Sequence, residues 1–480
     1  MVVRSLIEGD RTCPDGNPAA MQIQSSNAHS EWRITPGLFR AQLPAEHELV
    51  FNLPDSAQVV VLNSAARLIF DAFESPHTLD DLPRLEGTSS QDTVAIVQQL
   101  IDLGLVTPPG YQPQPIHLQP NTLTAWLHLT NACNLRCTYC YLHKSAESMT
   151  ENIGRQAVDA IFRTAGKQGF TSVKLKYAGG EPTLRFELLK ALHQQARALA
   201  AHMRLGIQEV VLSNGVSLSR SMLDYLRIEN IRLAISLDGV GAAHDVQRPS
   251  INGHGSFTRV ARTIDQAMAA GLSPHLSITV MPHNADHLPE AVAFVLDRDL
   301  SFNLNFARDC EAALHSIDPR NDQDRLIAGL KAALTIIEQR LPRCRLIDGL
   351  IDRSAFHAPH EYPCGVGRSY VVIDQRGRVA RCQMDLARPL TDVTAPDMLL
   401  DLQAQSFDFQ NVPVTIKKGC ADCTWRYWCA GGCPRLTFHV TGRTDTRSPY
   451  CEVYQAIYPD LLRLEGLRLL KWGSDESLST

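Results

Sequence analysis

From residue 121 to about 341 the chain alternates short β-rich runs with amphipathic stretches of helical period. TAWLHLT is followed by NIGRQAVDAIFRTAG, SVKLKYA by FELLKALHQQARALA, and QEVVLS by RSMLDYLRI. RLAISL then precedes FTRVARTIDQAMAAG, HLSITV precedes HLPEAVAFVLD, and FNLNFA precedes DRLIAGLKAALTIIEQRL. A strand repeats its faces every second residue and a helix about every 3.6, so a chain that switches between the two periods predicts strand and helix in turn. Six βα units in succession predict an α/β fold with a parallel sheet and helices outside, either curled as a partial (β/α)6 TIM barrel or opened as a doubly wound sheet. Both arrangements put chemistry at the carboxyl ends of the strands.

Ahead of the barrel lie ITPGLFRAQLPAEHELVFNLPDSAQVVVLNSAARLIFDAF and LDDLPRLEGTSSQDTVAIVQQLIDLGLV, β-like runs followed by three helical segments. They predict a small winged-helix-like domain over residues 31–107. The five prolines of PPGYQPQPIHLQP mark 108–121 as an extended linker, since such a stretch resists packing. The barrel then occupies 122–343, and a cysteine-rich segment fills 344–480.

At 480 residues the chain exceeds the size at which one core stops growing, roughly 250–300 residues, so several domains are expected. Hydrophobic content of 44% and a net charge of -5 are ordinary for a globular protein and give no general attraction to nucleic acid or anionic lipid. No run of about 18 apolar residues occurs, and the start MVVRSLIEGDRTCPDG lacks an apolar signal core. The expectation is a cytoplasmic protein with neither a nucleic-acid nor a membrane partner. In that compartment thirteen cysteines argue for metal binding over disulfides.

The cysteines are clustered. CNLRCTYCY places Cys133, Cys137 and Cys140 directly after the first barrel strand. Thiolates without a carboxylate or histidine at matching spacing favour zinc, iron or an iron–sulfur cluster. Zinc would want a fourth ligand, for which His128 and His143 are available. A 4Fe-4S cluster on three thiolates instead leaves one iron open to a small molecule. At successive strand ends follow YAGGEP, with Gly179, Gly180 and Glu181; SNG, with Ser213 and Asn214; and SLDG, with Ser236 and Asp238. Each alone reads as a turn or cap; with the cysteine motif they make four, each at the end of a successive strand, and together they read as a binding rim.

These motifs resemble the radical S-adenosylmethionine (SAM) enzymes, whose C-x3-C-x2-C signature with an aromatic before the last cysteine is matched by Cys133, Cys137, Tyr139 and Cys140. The resemblance implies that the amino and carboxylate groups of SAM chelate the open iron, and that one electron then yields methionine and a 5'-deoxyadenosyl radical that takes a hydrogen atom from the substrate. It also implies SAM contacts from Gly179, Gly180, Glu181, Ser213, Asn214, Ser236 and Asp238. HDVQRPSINGHGSF resembles a family stretch that makes Arg248 a carboxylate partner.

Toward the carboxyl terminus, Cys364, Gly377, Cys382, Cys420, Cys423, Cys429, Cys433 and Cys451 resemble the pattern of the SPASM domain found on radical SAM maturases. That family would bind two auxiliary 4Fe-4S clusters, one on Cys364, Cys382 and Cys433 and the other on Cys420, Cys423, Cys429 and Cys451, three clusters in all. The usual upstream cysteine is replaced by Ala358, so the first auxiliary cluster either keeps an open iron or is closed by Cys344, the preferred reading. Cys13 and Cys310 read as ordinary thiols. Residues 31–107 resemble the precursor-peptide recognition element of ribosomal peptide pathways, like the small PqqD-type chaperone of pyrroloquinoline quinone biosynthesis, which grips a leader peptide as an added strand.

The reading is a radical SAM/SPASM oxidoreductase that modifies a ribosomally synthesised precursor peptide by a carbon–carbon or thioether crosslink, fed by an electron donor such as flavodoxin or ferredoxin. A sulfatase-type maturase making formylglycine and a zinc-bearing peptide scaffold are the alternatives.

Overall fold

A computed structural model describes residues 3–4, 30–53, 58–82, 89–112, 119–308, 318–347, 349–405 and 408–473. Cys13, Cys310 and the middle of the expected linker lie outside these residues.

Six strands form the barrel in chain order: β7 (Thr122–His128), β8 (Ser172–Ala178), β9 (Gly206–Ser213), β10 (Arg232–Ser236), β11 (His275–Val280) and β12 (Phe302–Phe306). All pair in parallel, each with its sequence neighbour. Between and after them run α3 (Glu151–Lys167), α4 (Phe186–Met203), α5 (Arg220–Ile228), α6 (Ala242–Gln247), α7 (Phe257–Ala269), α8 (Leu288–Leu296) and α9 (Gln323–Gln339). β12 and β7 are not paired, so the barrel stays open. The αβ alternation expected from the pattern of apolar residues is therefore present, in the partial-barrel form.

The strand faces divide by chemistry. Leu123, Ala125 and Leu127 of β7 and Val173, Leu175 and Tyr177 of β8 are fully buried in the main core, which also takes Ala157 and Ile161 of α3. The alternate residues, Thr124, Trp126, Lys174 and Lys176, are only half-buried and mostly polar. A parallel sheet covered on both faces would read as a continuous apolar run; this one keeps its second face for something other than core.

Two additions were not legible in the pattern. The carboxyl-terminal segment feeds β13 (Tyr370–Ile373) into the barrel sheet, parallel to β7, and continues it with antiparallel β14 (Arg378–Ala380) and β15 (Thr391–Asp392). After α10 (Met398–Ala404), α11 (Arg426–Cys429) and α12 (Pro434–Thr441), the long α13 (Cys451–Trp472) returns across the molecule.

The amino-terminal unit packs against that helix. Its strands β3 (Phe39–Gln42), β4 (Glu48–Phe51) and β5 (Val59–Leu62) form an antiparallel sheet, which β1 (Val3–Arg4) extends beyond β5. Helices α1 (Ser64–Ala72) and α2 (Ser90–Asp102) follow, and the pair β2 (Arg33–Ile34) and β6 (Val106–Thr107) ties the ends of the unit together. Val50, Val60 and Leu62 face α1 and α2 in a core of their own, whereas Leu49, Phe51, Val59 and Val61 join the main core. Phe51 meets Trp428 at a ring distance of 4.9 Å. The unit is thus set apart in sequence but docked in space.

Gly466 of α13 sits at this junction, where a Cβ would lie 2.6 Å from Leu49 Cδ1 and 3.0 Å from Leu43 Cδ1. Gly466→Leu is expected to cost about 1–3 kcal/mol through overpacking, read as a lower denaturant midpoint. An unchanged midpoint would contradict the docking.

Candidate active site and cysteine centres

The loop after β7 carries the first cysteines and is stapled to the loop after β8. Gly180 N donates to Thr130 O at 2.6 Å, and Glu181 N donates to Ala132 O at 2.9 Å. A Cβ on Gly180 would lie 2.2 Å from Ala132 O, and one on Gly179, with φ +151°, 2.6 Å from Thr130 O. Glycine is needed here because the cysteine loop itself approaches, a reason different from the ligand contact expected from the sequence.

Glu181 is fully buried and its carboxylate is occupied by the protein. It accepts from Ser213 Oγ (2.9 Å), Asn214 N (2.7 Å), Thr183 Oγ1 (2.6 Å) and Thr183 N (3.2 Å). Burial raises its pKa above the ordinary carboxylate value, although these donors pull the other way. Glu181 therefore acts as a brace that joins two strand-end loops, and Ser213 spends its hydroxyl on that brace. Asn214 reaches the cysteines: its Nδ2 donates to Asn134 Oδ1 at 2.7 Å and lies 3.6 Å from Cys133 Sγ.

The three thiols are surrounded by donors. Leu135 N points at Cys133 Sγ (3.4 Å), and Lys144 Nζ lies 3.0 Å from Cys140 Sγ. Burial pushes the Cys137 thiol up to about 11, against the pull of the Arg248 guanidinium. Beside them Tyr139, Asp238 and Arg248 form one network: Tyr139 Oη and Arg248 Nη1 both donate to Asp238 Oδ2, and Arg248 also donates to the tyrosine oxygen. Asp238 Oδ1 accepts from Thr279 N at 2.8 Å. Arg248 is 7% exposed and its Nε has no partner among the described residues. Ser236 ends β10 half-buried. His128 is buried and its Nε2 is hydrogen-bonded to Asn131 Oδ1 at 2.7 Å.

The carboxyl-terminal cysteines divide by proximity into a group of three and a group of four. Cys364, Cys382 and Cys433 line a cavity of about 240 Å³ that also contacts β7 and β8. Burial pushes Cys382 up to about 12, whereas at Cys433 the effect of burial is outweighed by the guanidinium groups of Arg308 and Arg353, which bring the thiol below its ordinary value. Cys420, Cys423 and Cys451 are the charge neighbours of Cys429, itself pushed by burial up to about 12, and Gln455 Nε2 lies 3.7 Å from Cys451 Sγ and 3.9 Å from Cys423 Sγ. Among the described residues no three His, Cys, Asp or Glu side chains close on a point suited to a single metal ion.

Cys344 corrects an expectation. It is exposed and its charge neighbours are Asp299, Arg468 and Glu465, not the cavity cysteines. The buried Glu465 holds this segment by accepting from Leu346 N and Arg468, so the chain leaves Cys344 away from the group it was expected to complete.

Residues 127–295 match the family model described as the radical SAM superfamily. The chain carries a radical SAM domain. Over 351 residues, covering 69% of this chain and 87% of the relative, it is 26% identical to a PqqA peptide cyclase of Xanthomonas campestris pv. campestris (strain 8004). It is 20% identical over 355 residues to the cysteine-type anaerobic sulfatase-maturating enzyme of Clostridium perfringens (strain ATCC 13124), covering 68% of this chain and 93% of that one. Among solved structures, native anSMEcpe with bound AdoMet and Cp18Cys peptide superposes with a TM-score of 0.57 at 18% identity, over 74% of this chain and 99% of that one, which supports the fold.

A radical SAM domain implies SAM and one 4Fe-4S cluster, and the residues present fit both. Three thiols share one loop at the strand ends, amide donors and an ammonium surround them, and a buried guanidinium nitrogen beside them lacks an acceptor. Sequence reasoning passed over Lys144, Asn134 and Thr183, which carry no motif of their own and act through contacts to motif residues. It also passed over Lys176, although two lysines alternating in SVKLKYA signal a charged inner face.

Glu181→Ala should leave the buried Ser213 and Asn214 donors without an acceptor, at about 1–3 kcal/mol for each. Thermal denaturation of the cluster-free protein would show a lowered midpoint. A midpoint equal to wild type would contradict the bracing role.

Proposed function

We propose that the protein is a radical SAM/SPASM maturase acting on a ribosomally synthesised precursor peptide. Cys133, Cys137 and Cys140 would hold the cluster that binds SAM; Cys420, Cys423, Cys429 and Cys451 would hold a second; Cys364, Cys382 and Cys433 would hold a third. The observation that carries this is the sorting of the cysteines into three spatial groups, one at the barrel mouth and two in the segment that extends its sheet. The relatives named as a peptide cyclase and as a sulfatase-maturating enzyme, each matched over most of its length, favour a peptide or protein substrate.

When bound, the cluster and SAM would supply the chemistry of hydrogen-atom abstraction. The chain's own residues prepare the place. Leu135 N and Asn214 Nδ2 offset thiolate charge at Cys133, and Lys144 does so at Cys140. Glu181 fixes the Ser213–Asn214 turn, Asp238 holds Tyr139 and Arg248 against the cluster loop, and the free Arg248 Nε awaits an acceptor such as the SAM carboxylate. Residues 31–107 grip the leader at a sheet edge, a crosslink is the modification, and flavodoxin or ferredoxin is the class of electron donor.

Cys137→Ala should abolish 5'-deoxyadenosine formation while precursor binding survives; SAM cleavage by that variant would be fatal to the assignment. The resemblance to a sulfatase-maturating enzyme favours formylglycine as a second reading. Co-expression with a candidate precursor separates them by mass spectrometry. A crosslink removes two hydrogens and leaves no group that reacts with a hydrazide, whereas formylglycine presents an aldehyde that does.

A further inference from the structure

The cavity at Cys364, Cys382 and Cys433 is also lined by inner-face residues of the barrel. Trp126 of β7 and Lys176 of β8 are register partners at mid-strand, and both contact it, together with Arg353. What these residues offer is one-sided. Among the described residues Trp126 Nε1 is a buried donor with no partner, and Arg353 Nε makes no hydrogen bond, its charge neighbours including Asp352 and the thiols Cys364 and Cys433. Burial brings the Lys176 ammonium down to about 8, and its charge neighbours Lys174 and Arg353, both cations, push the same way. Among the described residues no Asp or Glu lines the cavity. The adjacent Asp352 gives its carboxylate to Arg308 at 2.6 Å and comes no closer than 3.7 Å to Arg353 Nε. Gln383 Oε1 is taken by Tyr370 Oη at 2.9 Å.

Donors in surplus, two of them cationic, define the ligand by what it must supply: an acceptor carrying negative charge. We propose that Lys176 and Arg353 form an anion subsite that takes a carboxylate of the peptide substrate. The claim rests on the peptide-maturase reading above. A carboxylate would accept from both cations and relieve their mutual repulsion, which a neutral amide of the same shape cannot do. The subsite lies between the inner face of the barrel and the cysteine triad, so a captured carboxylate would anchor the peptide across the barrel mouth.

The test uses the anaerobically purified holoenzyme without SAM, so binding is read apart from turnover. The probes are N-acetylglutamate N-methylamide, its glutamine counterpart, and N-acetylalanine for a terminal carboxylate. Affinities come from tryptophan fluorescence, and the EPR spectrum of the dithionite-reduced protein is recorded with each probe. The glutamate probe or N-acetylalanine should bind at least about tenfold more tightly than the glutamine probe, with the tighter of the two acids identifying the source of the carboxylate. Lys176→Met should remove the preference and Lys176→Arg should retain most of it. Equal binding of acid and amide by the wild type overturns the subsite, as does a preference that survives in Lys176→Met. If Lys176→Met alters only iron content or the EPR spectrum while wild type shows no acid preference, the cations serve the cysteines alone and the proposal fails. Formation of 5'-deoxyadenosine by the same wild-type preparation reports separately on the maturase reading, so the two can fall independently.

Discussion

Burying thiols together is unfavourable for their ionised form, and this chain buries them in three places. Removal from water pushes Cys137 and Cys451 to about 11 and Cys382 and Cys429 to about 12. A thiol left so would be an inert apolar filler. The surroundings argue otherwise, because amide donors, Lys144, Arg248, Arg308 and Arg353 are aimed at or near the sulfurs. In the proposed reading, metal centres among the thiolates give this arrangement its value.

The barrel supplies the precision. Its second strand ends in two glycines so that the cysteine loop can lie against backbone, and Glu181 then ties this junction to the turn after the third strand. Asp238, at the end of the fourth, is bonded to the backbone of β11 and to Arg248 and Tyr139. Each loop is held by its neighbour, so a substrate or cofactor meets a surface that is already ordered. The half-buried polar inner face of the strands carries the same logic inward to Lys176 and the cysteine triad.

Much of this was legible in the chain. The alternation of periods gives six parallel strands in order, because each unit buries one face under its own helix and local pattern suffices to say which face that is. The motif cysteines stand out in the chain because spacing and position after a strand restrict the chemistry they could carry, and the structure keeps all three in one loop. What escaped depends on contacts distant in sequence. Nothing local announces that β13 joins β7, that Leu49 and Phe51 pack on the main core, or that Gly466 makes room for them. Cys344 was attractive by its closeness in sequence, yet Glu465 and Arg468 hold its segment elsewhere. Glu181 was noticed as an acceptor for a ligand, but its four donors all belong to the protein.

The account turns on whether the cluster at Cys133, Cys137 and Cys140 leaves an iron that SAM can reach. EPR spectroscopy of the reduced, oxygen-free protein, recorded before and after adding SAM, tests this most directly. A changed signal from one cluster, absent when Cys137 is replaced by Ala, is the predicted result. A spectrum that SAM leaves untouched in an iron-replete wild-type preparation would contradict it.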